Sequence, residues 1–451
     1  MVIITKYGKI EGIKEKGCDV YRGIPYAKAP TGELRFRKPV EMDSWEGVFK
    51  ADHFGYTSMQ DPKPPEFYLK EFHSNPDFDV PTDEDGLNLN IWVPEHDKGA
   101  KLPVAVYVHG GAFMCGSGSE LPFVGTNLAK AGVIVVTINY RLGVFGFLCH
   151  PALSEGEENP NGGNYGLWDQ LAAIKWIKEN ITAFDGDPAN ITAFGQSAGA
   201  MSLQCLAVSE KTKGFVNKMI LQSGAGYKNP LGFYRDLDSA MGIAEDLFEL
   251  LGFSRTAWKE SEELKTALLN KLRSISANEL LDVAGEVIGK SFSEGNGLPF
   301  VPAIDGELIL KNGNDIIEEG GFLDIPYLIG SNGNDLTTEG QDNPTPDNSL
   351  MHACDVKYAN FVNEKNTDTA YVYYFDRKLP GDDAGAFHSG ELWYVFGSLE
   401  YGWRPWEAYD YELSKEMIGY WSNFMKNGNP NGAGSDWRPC TASDPYFKII
   451  D

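Results

Sequence analysis

The chain has 451 residues with 39 basic and 64 acidic side chains, a formal charge of −25, and 42% of its residues are hydrophobic. That composition belongs to a packed globular protein and not to a disordered or fibrous one. The negative balance repels phosphate backbones and anionic lipid surfaces, so nucleic-acid partners and electrostatic membrane docking are not expected.

The N-terminal MVIITKYGKIEG alternates strand-like and turn-like residues, with no basic region leading into a long apolar stretch, and reads as the start of folded structure. Residues 1 to 60 read as short strands and turns, punctuated by the prolines and glycines of GIPYAKAPTGELRFRKP. Residues 61 to 86, rich in Pro and Asp, read as a loop and are expected to form part of an active-site rim. LNLNIWVP, PVAVYVHGG and GVIVVTINYRLG follow, the last two apolar enough to be strands buried on both faces. A helix is expected over Tyr165 to Ile181, where Leu167, Leu171, Ile174 and Ile177 recur at helical spacing. Strand ITAFG, helix GAMSLQCLAV, helices within residues 235 to 300, strands IPYLIGSN and AYVYYFD, a helix over Tyr409 to Lys426 and the strand-like YFKII complete the order. Alternating strands and helices imply a mostly parallel central sheet with flanking helices, in one α/β domain over residues 1 to 451 with a helical cap insertion at 235 to 300. The longest apolar runs, Gly132 to Ile138 and Val144 to Cys149, are too short to span a bilayer. Six scattered cysteines with no ligand-like spacing read as buried free thiols, which favours a cytoplasmic location, with a secreted form whose signal peptide has been removed as the alternative.

Gly195-Gln196-Ser197-Ala198-Gly199 is a GxSxG between an expected strand and an expected helix. A serine on such a sharp turn needs small neighbours, and the helix behind it directs free amides and a positive dipole end at the site. His109-Gly110-Gly111-Ala112-Phe113 ends a buried strand, and its glycines let main-chain amides approach a ligand closely. Gly110, Gly111 and Ala198 are therefore the expected oxyanion-hole donors. In hydrolases with this elbow the acid and then the histidine follow the serine along the chain, leaving His352 and His388 as bases. His388 stands in a glycine-bounded loop after a strand, whereas His352 sits in the polar SLMHACD, which reads as a surface helix, so His388 is preferred. Asp335 and Glu339 both lie just beyond the strand IPYLIGSN, and either offers a carboxylate to orient the imidazole.

With YRGIPYAKAPTGELRF, EDGLNLNIWVP, HGGAF, NYRLGVFGFL, GNYGLWDQLAAIKWIKENI, FDGDPANITAFGQSAGA, QSG at Gln222 to Gly224 and PAIDGE in order, the chain resembles the type B carboxylesterases of the α/β-hydrolase fold, as a bacterial-type member. The resemblance implies Ser197 as nucleophile, His388 as base and the Gly110, Gly111 and Ala198 amides as oxyanion hole. The family acid, usually a glutamate followed by glycine, stands five residues after the glycine of the IG pair; that position here is Asp335, one methylene shorter and followed by Leu336, which selects Asp335 over Glu339. The family's EDCL cysteine is Gly86 here, with no partner cysteine near Thr57 to Gln60, so the rim loop is not stapled. Only 53 residues separate Asp335 from His388, fewer than the family normally has, so part of the cap is missing and no choline-binding aromatic carries over.

The expected activity is hydrolysis of small soluble carboxylic esters through an acyl-enzyme, with no metal or cofactor and with a rate rising through an apparent pKa of about 6 to 7. Phe113 and Met114, just past the oxyanion loop, are expected on the acyl side of the pocket. The alternatives are a non-catalytic relative that binds a partner, or a lipase acting on longer acyl chains. Monomer and homodimer are equally compatible with the sequence.

Overall fold

The computed structural model describes residues 1–61, 64–154, 160–231, 234–338, 340–341 and 343–451. Its main sheet has ten strands: β1 (Ile13–Glu15), β2 (Cys18–Pro25), β3 (Asn88–Pro94), β4 (Leu102–Val108), β5 (Ile134–Ile138), β6 (Gly186–Gln196), β7 (Lys218–Gln222), β8 (Tyr327–Asn332), β9 (Ala370–Phe375) and β10 (Lys448–Ile450). They lie in the spatial order β10-β9-β8-β7-β6-β4-β5-β3-β2-β1. From β10 to β5 every neighbour is parallel, while β3, β2 and β1 continue the sheet antiparallel at one edge.

Every residue of β5, β7, β8 and β9 is buried, as expected for strands covered on both faces, and β5 accordingly reads in the sequence as an apolar run. The covering helices are α1 (Glu66–Phe72), α2 (Tyr165–Asn180), α3 (Ala198–Ala207), α4 (Leu237–Leu250), α5 (Glu262–Ser274), α6 (Ala277–Ser293), α7 (Leu350–Lys365), α8 (Leu392–Phe396) and α9 (Ala408–Asn427). Helices α4, α5 and α6 fall in the connection between β7 and β8, within the residues expected to hold helical insertions. Buried Arg35 ties them to the N-terminal segment, donating to the Leu272 and Ile275 carbonyls at the end of α5 while pairing with Glu84.

Register decides where the chemistry sits. Val108 is level with Gly195, Gln196 with Gln222 and Gln222 with Gly330, so β4, β6, β7 and β8 finish side by side and deliver their loops to one carboxyl edge of the sheet. No helix of the described residues is long and apolar enough to cross a membrane.

Two readings of the sequence are corrected. Residues 61 to 86 are not irregular throughout: α1 forms there, with Glu71 and Phe72 buried on its inner side. A helix this short has too few turns to show periodicity, and its stability comes from the groups it packs on. The helix around His352 exists, but His352 is buried between Tyr374 and Phe447, with ring centroids at 5.2 and 4.5 Å, and so is not at a surface. Burial pushes its imidazole down to about 4.

Candidate active site

Ser197 links the end of β6 to the first residue of α3 with φ 56° and ψ −127°. A side chain in this region costs about 1 to 3 kcal/mol and persists only where its surroundings over-determine it. Here the Ser197 N–H donates to Gln222 O at 2.8 Å and the Ser197 carbonyl accepts from Met201 N at 2.9 Å. The glycines around it are spatial necessities. A Cβ on Gly199 would stand 2.0 Å from Val108 O, and one on Gly224, from the QSG motif, 2.2 Å from Ser197 O.

The loop after β4 curls through three consecutive left-handed residues, Gly111 (φ 102°), Ala112 (φ 56°) and Phe113 (φ 62°). A Cβ on Gly110 would lie 2.9 Å from Ser197 Cβ, so the main chain of this loop passes directly beside Ser197. Among the described residues the amides of Gly110, Gly111 and Ala198 have no protein acceptor. The loop is held from behind: His109 stacks on Tyr140 at 4.4 Å, the Tyr140 hydroxyl donates to His109 O, and the Gln60 side-chain amide both donates to and accepts from the Gly116 main chain. Burial pushes His109 down to about 4, which keeps this ring neutral.

His388 Nδ1 lies 2.6 Å from Asp335 Oδ1. The other Asp335 oxygen accepts the Asn332 N–H at 2.9 Å, so the carboxylate is fixed from the end of β8. Its exposure of 1%, against 8% for His388 and 9% for Ser197, orders the three from sealed to reachable. Burial raises the Asp335 carboxyl, but the His388 charge and hydrogen bond and the Asn332 N–H outweigh it, and the net direction is downward. For His388 burial lowers the imidazole, the Asp335 charge and hydrogen bond and the Glu391 charge outweigh it, and the net direction is upward. His388 Nε2 stands 3.2 Å from Gln196 Nε2, one residue before Ser197, and makes no hydrogen bond to Ser197 Oγ. Nucleophile-to-base contacts are often open before substrate binds.

Of the other sequence candidates, Phe113 is buried against Phe147 at 5.1 Å, a core position, whereas Met114 is half-buried. Glu339 lies outside the described residues. Among the described residues no cluster of His, Cys, Asp or Glu has a metal-binding arrangement.

Sequence reasoning missed Glu391. It is fully buried three residues past His388, with Gln222 Nε2 donating to one oxygen at 3.0 Å and Asn332 Nδ2 to the other at 2.6 Å. Burial is the main cause that pushes its carboxyl up to about 7. The signal in the sequence is an acidic residue opening the apolar run LWYVF.

Three comparisons place this geometry among known proteins. The model of the carboxylesterase family matches residues 1–349 and 346–451. The para-nitrobenzyl esterase of Bacillus subtilis is 32% identical over 483 aligned positions, covering 97% of this chain and 92% of the relative. The fumonisin B1 esterase of Sphingopyxis macrogoltabida is 37% identical across 73% of this chain and 55% of its own length. Among solved structures, a thermophilic PNB esterase superposes with a TM-score of 0.85 at 30% identity, covering 100% of this chain and 96% of its own. A Geobacillus stearothermophilus carboxylesterase gives 0.80 at 31% with the same coverage.

Proposed function

The chain belongs to the carboxylesterase family and is a carboxylic ester hydrolase, and from that premise we propose that it acts through a covalent acyl-enzyme built on Ser197, His388 and Asp335. The observation that carries this reading is the 2.6 Å contact between His388 and a sealed Asp335, beside a serine held in a left-handed elbow. Asp335 accepts the Nδ1–H of His388, leaving Nε2 as the basic nitrogen. When an ester occupies the site, Nε2 takes the Ser197 proton as Oγ bonds to the carbonyl carbon, and Asp335 favours the imidazolium that results. The tetrahedral oxyanion is received by the Gly110, Gly111 and Ala198 amides, which have no competing acceptor among the described residues. The imidazolium then protonates the departing alcohol, and a water activated by the same Nε2 releases the acid and restores Ser197.

The substrates we propose are small soluble esters, aryl esters included, in line with the para-nitrobenzyl esterases to which the chain is similar. A net formal charge of −25 disfavours anionic lipid interfaces. A reducing cytoplasmic setting suits six free cysteines, four of them buried. Turnover of p-nitrophenyl esters from acetate to palmitate tests the reading, with wild type beside Ser197→Ala and His388→Ala. Turnover that is strongest on short acyl groups and lost in both variants is expected; a Ser197→Ala chain as active as wild type refutes it.

A further inference from the structure

The loop that carries His388 is held on two sides. From the sheet side, Asn332 Nδ2 donates to Phe387 O at 2.7 Å and Asn334 N to Ala386 O at 2.9 Å. On the outer side stands Arg404, its side chain fully buried and 16 residues beyond His388. Its donors all find acceptors: Nε and Nη2 reach the two Glu71 oxygens at 3.1 and 2.7 Å, Nη1 reaches Pro380 O and Asp382 Oδ1 at 2.9 Å each, and Nη2 also reaches Asp382 Oδ2 at 3.2 Å. The guanidinium also lies over the ring of Phe387, 5.0 Å from its centroid. Glu71 belongs to α1, and two α1 neighbours complete the contact: Phe67 meets Phe387 edge-on at 5.0 Å, and the Tyr68 hydroxyl donates to the His388 carbonyl at 3.4 Å.

We propose that Arg404 is a positioning residue for His388, acting through Phe387 and through a rim helix that Glu71 docks onto it. Burying a guanidinium with two carboxylates contributes little stability over a packed apolar cluster, but its directional bonds admit one arrangement of the three segments they join. A general base needs that definition, because a shift of about 1 Å in a reacting group costs about 100-fold in rate. The rim helix thus does here, by a buried ion pair, the anchoring that no disulfide performs for residues 58 to 86. Just ahead of the rim segment, Gln60 clamps Gly116 of the oxyanion loop, so contacts on neighbouring stretches of chain brace both halves of the catalytic machinery.

This inference rests on His388 being the general base. The test compares Arg404→Lys, Glu71→Gln, Phe67→Leu and Tyr68→Phe with wild type and Ser197→Ala, on p-nitrophenyl acetate and butyrate, with active sites counted by fluorophosphonate labelling. Positioning requires kcat per labelled site to fall about 10- to 100-fold in Arg404→Lys and Glu71→Gln, with smaller losses in the two aromatic variants. KM should stay within about twofold on both esters, and the acid limb of kcat/KM should move to lower pH as the imidazole loses its fixed approach to Asp335. Unchanged kcat and pH profile per labelled site, with only thermal stability reduced, would overturn the proposal. So would a KM rise that differs between the two acyl lengths, the signature of a pocket wall. Should Arg404→Lys and Glu71→Gln fail to fold, Phe67→Leu and Tyr68→Phe decide by the same readings. An active Ser197→Ala chain would instead remove the underlying mechanism, so the two failures are distinct.

Discussion

Asn332 donates its side-chain amide to Glu391 at 2.6 Å and its main-chain N–H to Asp335 at 2.9 Å, so one residue at the end of β8 orients both buried carboxylates that flank His388. Both Glu391 oxygens accept N–H groups, from Asn332 and Gln222, an arrangement that the carboxylate satisfies completely. Glu391→Gln turns an amide N–H₂ toward one of those donors, which costs about 1 to 3 kcal/mol. It also removes a negative charge that raises His388. Thermal unfolding should register the first effect, and the kcat/KM profile the second, as an acid limb displaced to lower pH.

The pH dependence of activity follows from the same groups. As the proposed base, His388 can act only when neutral, and its folded-state pKa lies above the ordinary histidine value of about 6.5, so kcat/KM should rise with pH along a limb centred above that value. Because Glu391 titrates at about 7 beside it, the limb belongs to the coupled pair. A profile flat from pH 5 to 9 would contradict the assignment.

Stability carries the opposite signs for the two partners. The raised His388 pKa contributes stability that is full below about 6.5 and is lost as pH rises through the folded-state value. The lowered Asp335 pKa contributes stability present above about 3.9 and lost as pH falls through its folded-state value. Asp335→Asn should remove both contributions and lower kcat by about 10⁴-fold, because the amide no longer favours the imidazolium or fixes the productive tautomer. Denaturant titrations at pH 4, 6 and 8, with rates at pH 8, check both parts.

Much of this site was legible in the sequence where the determinants are local. Ser197 and its small neighbours, and the glycines after His109, are contiguous motifs whose chemistry demands those residues in that order. The parallel strands were legible because burial on both faces leaves uninterrupted apolar runs such as Ile134–Ile138. What escaped depends on contacts remote in sequence. Glu391 meets Asn332 and Gln222 across 59 and 169 residues, and α1 is held by an Arg404–Glu71 pair 333 residues apart. His352 was misplaced at a surface for the same reason, since its aromatic partner Phe447 lies far along the chain.

The missing disulfide has a structural counterpart. A Cβ on Gly86 would stand 2.7 Å from Ser58 Cα, so the main chains of the two residues lie closer together than the usual disulfide spacing. Ser58→Cys combined with Gly86→Cys should therefore lower the melting temperature instead of raising it, under oxidising and reducing conditions alike. Calorimetry of the double variant with and without reductant checks this.

The glycines that wrap the elbow should be equally intolerant. Gly199→Ala places a methyl group 2.0 Å from the Val108 carbonyl, at a contact between α3 and the end of β4 where both backbones are fixed. Overpacking of this kind costs about 1 to 3 kcal/mol or more, and the displaced elbow should lose activity faster than it loses fold. Circular dichroism beside ester turnover separates the two.

The central claim is that Ser197 becomes covalently acylated with His388 as its base. The most direct measurement is the mass and site of the adduct formed with a fluorophosphonate, beside residual ester hydrolysis, in wild type, Ser197→Ala and His388→Ala. One adduct per chain on Ser197, activity lost in proportion to labelling, and no labelling of either variant on the same timescale are expected. An adduct on another residue, or hydrolysis by Ser197→Ala at the wild-type rate, would contradict the account.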